Sequence, residues 1–141
     1  MNALADDPMA WRPVKAPTLA MLEVMAEAAY ARLPKRFRDL YGNLVVQVTD
    51  FPTDKVLEEM EAETPFDLLG LFQGVGLAQG YESAPFVMPN MIWLYRRPIL
   101  DYWAEHDETL GKIVTHVLIH EIGHHFGLSD DDMERLEDEA G

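Results

Sequence analysis

The chain has 141 residues, 48% hydrophobic and 26% charged, a balance that fits one globular domain and excludes a disordered segment. A formal net charge of −14 argues against nucleic acid or an anionic membrane surface as partner, because both repel an acidic protein. Without cysteine there are no disulfides and no thiolate ligands, so a metal must be held by His and carboxylate, and no thiolate can block it. No basic leader with an apolar core opens the sequence and no apolar run approaches about 18 residues, so the expectation is a cytoplasmic protein of bacterial type.

Residues 1–17 are rich in Pro and Asp without a period and read as a flexible N-terminal arm, with Trp11 as a candidate anchor to the domain at 18–141. From Thr18 the pattern turns helical. Leu19, Leu22, Val24, Met25, Ala26, Ala29 and Leu33 make an apolar stripe, Thr18 is a natural N-cap, and Pro34 stops the helix. Pro34 can itself open a short helix through Leu40, closed by Gly42. LVVQVT at 44–49 has the β-branched density of a strand. Thr53 then caps a helix over 54–62 with Val56, Leu57 and Met60 on its buried face. LLGLF at 68–72 reads as a second strand ended by Gly74 and Gly76, and the stretch 77–90, with Gly80, Pro85 and Pro89, reads as a loop. MIWLYR at 91–96 is a third strand with Pro98 marking its end, followed by a helical turn over 99–105.

A long helix is expected from about Asp107 to Phe126, with Asp107 and Thr109 as competing caps. Leu110, Ile113, Val114, Val117, Leu118, Ile119 and Ile122 make it apolar around most of its circumference, so it should be largely buried. Gly127 is the expected stop, and an acidic final helix runs from Ser129 through Glu139. A few strands among helices, with a buried helix near the end, give an α+β fold with a small sheet of about three strands.

The buried helix ends in HEIGHHFGLSD, residues 120–130. His120 and His124 are four apart and share one face, so their imidazoles can bind one Zn²⁺. Glu121, beside the first ligand, can take a proton from a metal-activated water as general base. The third ligand must come from beyond the helix, and Gly127 permits a sharp turn that swings Asp130 back to the metal, with Asp131 and Glu134 as substitutes. A helix cap competes for the same stretch: Ser129 and Asp132 are spaced as a capping box, and Leu128 and Met133 as a hydrophobic staple. His116 can stand behind the ligands, although a satisfied core histidine is the commoner role, and His125 points about 100° away from His124. His106, Tyr95 and Tyr102 are candidates to assist an oxyanion. Arg96 and Arg97 would bind either a substrate carboxylate or, as the acidity of the chain favours, an internal acidic group.

LLGLFQGVGL (68–77), MPNMIWLYRRPIL (88–100) and HEIGHHFGLSDDDM (120–133) resemble the small bacterial zinc-dependent proteases with a minimal matrix-metalloprotease-like domain. HEIGHHFGLSD is also similar to the metzincin pattern HExxHxxGxxH, with Asp130 where the third His stands. The resemblance implies a minimal zincin-like fold in which the small mixed sheet packs on the N-terminal helix and the buried HExxH helix. It implies one catalytic Zn²⁺ on His120, His124 and Asp130, with Glu121 as base and peptides or unfolded protein as substrate. It further implies that the strand at 91–96 lines the rim of the cleft, where an extended peptide could pair with its edge. Two departures are plain. Only eleven residues follow Asp130, so Met133 is too close to form a Met-turn, and there is no sizeable lower subdomain. Beside the zinc metallopeptidase stand a non-catalytic zincin-like scaffold with weak or no metal, serving as a binding or regulatory module, and a metal-dependent hydrolase of a non-peptide bond.

Overall fold

The computed structural model describes residues 7–41, 44–74 and 90–140. Six α-helices and three strands follow a 3₁₀ turn, Pro8–Trp11. The helices are α1 (Leu19–Ala31), α2 (Lys35–Tyr41), α3 (Asp54–Glu59), α4 (Arg96–Glu105), α5 (Leu110–His125) and α6 (Asp130–Ala140). The strands are β1 (Leu44–Thr49), β2 (Gly70–Gln73) and β3 (Asn90–Tyr95). No helix among these residues is long and apolar enough to cross a membrane.

The helix starts follow local chemistry. Thr18, Thr53 and Thr109 each accept a backbone N–H from three residues on, at 3.1, 3.2 and 3.2 Å, and Ser129 does the same for Asp132 at 3.1 Å. Of the two caps proposed for the long helix, Thr109 is the one used. Gly127 takes φ +69°, and Leu128 N–H donates to Gly123 O at 2.9 Å while Gly127 N–H donates to His124 O at 3.3 Å. This is a Schellman stop, which closes the helix carbonyls and reverses the chain.

The sheet is mixed, in the order β1-β3-β2, with β1 parallel and β2 antiparallel to β3. β3 is therefore the central strand. Both of its edges are paired, so the strand at 91–96 does not form a rim, and the outer antiparallel strand is β2. Sequence could not supply this order, because a strand's neighbours depend on pairing partners some twenty and forty-five residues away. Val46 pairs with Ile92, and with Leu94 these side chains turn one face of the sheet towards α1 and α5. Trp93 Nε1 donates to Gln73 Oε1 at 2.9 Å across the β3–β2 pair.

α5 is the interior element. Leu118, Ile119, Ile122 and Val114 are completely buried, and α1 covers it with Leu22, Ala26 and Ala29. Three local expectations change. α3 is shorter than 54–62 and buries nothing; Met60, expected inside, is 48% exposed. The second strand begins at Gly70, two residues late. The turn expected at 99–105 is a ten-residue helix that starts directly after β3, because Pro98 falls in its first turn, where a missing N–H costs nothing. The loop expected at 77–90 lies outside the described residues except for Asn90, and so do Gly42 and Gly76. Trp11, the expected anchor, is 41% exposed.

A Cβ at Gly127 would meet nothing within 4 Å, so Gly127→Ala tests backbone strain alone. It should cost about 1 kcal/mol, with Gly127→Asn costing less, both read as shifts in thermal midpoint.

Candidate metal centre

α5 delivers the motif residues to different surroundings according to their angle around the helix. Glu121 faces the sheet. A Cβ at Gly70 of β2 would stand 2.8 Å from Val117 Cγ1, 3.0 Å from Trp93 O and 3.3 Å from Glu121 Cγ. Only glycine lets α5 lie this close to the outer strand, and the sequence had flagged Gly70 only as part of a strand. Glu121 is half-buried there, and burial raises its carboxyl pKa, with a smaller opposing pull from His124. Burial, and next the Glu121 carboxylate, push the neighbouring Tyr95 hydroxyl up to about 12. Tyr95 thus stays a neutral hydroxyl beside Glu121.

His120 is half-buried, and its pKa is lowered by burial first and then by His116, against the pull of Glu137 and Asp130. It is therefore neutral at neutral pH, the form that binds a metal. Its ring stacks on His116 with centroids 3.9 Å apart and stands edge-on to His124 at 5.7 Å. His124 and Asp130 are both exposed. Among the described residues, the group of three whose donor atoms lie within 4.8 Å of one another is His116, His120 and Glu137, not His120, His124 and Asp130. Glu137 was absent from the sequence-based candidates. It stands seventeen residues beyond His120, and only the reversal at Gly127 and the packing of Met133 over Gly123 bring it back.

The remaining candidates resolve simply. His116 is no core histidine, since its side chain is 53% exposed and it pairs with Glu137. His125 packs on Phe72, with centroids 4.3 Å apart, and fills the space at Gly74. Tyr102 and His106 stack on each other at 3.7 Å on α4 and just beyond it. Arg96 donates to Pro17 O at 2.7 Å and to Asp50 Oδ1 at 3.0 Å, so its partner is internal, and the Arg97 guanidinium lies over the Phe51 ring. Asp130 opens α6 as a first-turn acid, and Ser129 caps that helix as the competing reading foresaw.

A donor set of imidazoles and carboxylates with no thiolate suits zinc. One observation favours a cation beside His116 and His120. Glu137 Oε1 is buried without a hydrogen-bond partner, although it lies against His116 Nδ1 and 3.5 Å from His120 Nε2. A buried carboxylate oxygen without a donor is costly, and a cation would satisfy it.

A helix that carries histidines one turn apart beside a half-buried glutamate, laid along the outer strand of a small mixed sheet, defines a zincin-like protein. A family model described as zincin-like metallopeptidase matches residues 41–140, and the chain belongs to that family. No curated protein matches it.

Gly70→Ala should cost about 1–3 kcal/mol, because the added carbon meets a backbone carbonyl and a buried valine. A thermal melt checks this. The raised pKa of Glu121 means that folding disfavours its charged form, so the ionised group subtracts stability above its folded pKa and nothing below its unfolded one. Metal-free Glu121→Gln should therefore melt no lower than metal-free wild type at pH 7, with any advantage gone in acid.

Proposed function

We propose that the protein is a zinc-dependent metallopeptidase that hydrolyses peptide bonds in peptides or unfolded protein segments. His120, His124 and Asp130 hold one catalytic zinc, and Glu121 is the general base. The observation that carries this reading is the place of Glu121: a half-buried carboxylate held between an imidazole-bearing helix and the outer strand of the sheet. Family membership supports the same chemistry.

When bound, zinc supplies Lewis-acid polarisation of a carbonyl and makes water acidic enough to attack at neutral pH. The chain's own groups do the rest. Glu121 accepts the proton of the attacking water and returns it to the leaving amine, a task for which a carboxyl with a raised pKa is better matched than an ordinary one. Among the described residues the outer edge of β2 is unpaired, so an extended substrate would add there as a further strand, beside Glu121. The net charge of −14 favours the approach of cationic segments.

The exposure of His124 and Asp130 favours a second reading, a non-catalytic scaffold with weak metal binding. One experiment separates the two. Digestion of a proteome-derived peptide library by the zinc-loaded protein should give cleavage products, and Glu121→Gln should keep its zinc while turnover falls roughly 10²–10⁴-fold. Unchanged turnover in Glu121→Gln would sink the mechanism, and no cleavage by either protein would overturn the peptidase reading. Asp130→Ala should weaken zinc binding where Asp131→Ala and Glu134→Ala do not.

A further inference from the structure

We propose that His116, His120 and Glu137 form a second cation site, which takes zinc or a similar divalent ion and shares His120 with the catalytic set. His116 and His120 lie one turn apart on α5 with stacked rings, and Glu137 reaches across from α6. The three donor atoms fall within 4.8 Å of one another.

Two features suit a metal where His116 and His120 now pair with Glu137. Glu137 Oε1 is buried and accepts no hydrogen bond, and its contacts with the two imidazoles are ion-pair contacts that need a protonated ring, so a cation can take the proton's place. The His120 Nε2 to Glu137 Oε1 separation is 3.5 Å. Two donors bound to one tetrahedral zinc at its usual bond lengths stand roughly 3.4 Å apart. The pair is too far apart for a good hydrogen bond and close to the spacing a shared ion imposes, whereas His116 Nδ1 lies closer to Glu137 Oε1 than two ligands of one ion, so an incoming ion has to open that contact.

The site has its own entrance. A cavity of about 780 Å³ between α1, α5 and α6 is lined by His116 and Glu137, and there Glu108, Glu134 and Asp138 outnumber the cations Arg32 and Lys112. Glu121 and His124 do not line it. A cation can thus reach His116 and Glu137 from the side of the molecule away from β2.

Sharing His120 has a consequence. Glu121 lies beside Gly70, Tyr95 and His124, whereas His116, five residues earlier, sits roughly 140° away around the helix. An ion on His116, His120 and Glu137 therefore has no base beside it. One imidazole nitrogen serves one ion, so filling this site empties the other. The second site parks the metal in an inert position and holds the protein inactive without any other chain.

Zinc titrations against a chromogenic chelator test this without reference to activity, with folding of each variant checked by its thermal melt. His124→Ala removes only the catalytic set and should still bind one zinc. Adding Glu137→Gln or His116→Ala to it should weaken binding roughly a hundredfold or more, since replacing even a supporting group costs ten- to a hundredfold. Wild type should bind one zinc in total. Folded His124→Ala without zinc affinity would overturn the proposal. Undiminished affinity in the His124→Ala/Glu137→Gln double variant would do so as well, leaving Glu137 as an ordinary partner of protonated His116. Two zinc ions on wild type would overturn the sharing of His120.

Discussion

The fold depends on covering one helix. α5 is apolar around most of its circumference, and a helix of that kind has no stable place except between other layers. α1 covers one side with Leu22, Ala26 and Ala29, the sheet covers another with Ile92 and Leu94, and α6 closes a third with Met133. The side that remains carries His116, His120, Glu121 and His124. The chemistry of the protein is what this helix exposes after the rest of it has been buried.

Two glycines set the distances on which that side depends, each for a different reason. Gly70 removes a side chain so that α5 can approach the outer strand, which places Glu121 against the sheet edge. Gly123 removes one so that Met133 can seat on the helix and draw α6 close. Without the first approach Glu121 would be an ordinary solvated carboxylate with no raised pKa. Without the second, Glu137 would not reach the imidazoles. Both effects are packing constraints.

The two donor sets on this side differ in what surrounds them. The His124 side adjoins Glu121 and the strand edge, and the side chains proposed there as ligands, His124 and Asp130, are exposed. The His116 side faces an acidic cavity and is closed by a carboxylate already in place. Both proposed sets use His120, whose burial keeps its imidazole neutral.

Much was legible in the sequence because it is local. Thr18, Thr53, Thr109 and Ser129 cap their helices through atoms three residues away, and Gly127 stops α5 through its own backbone angle. The spacing of His120, Glu121 and His124 follows from helical geometry alone. Strand order, the role of Gly70 and the return of Glu137 were not legible. Each is decided by what lies opposite a residue across the sheet or the helix pair, and a sequence records neighbours along the chain, not across it. For this reason the sequence named candidate metal-binding residues, while the tertiary structure decided which donor groups meet, Glu137 among them.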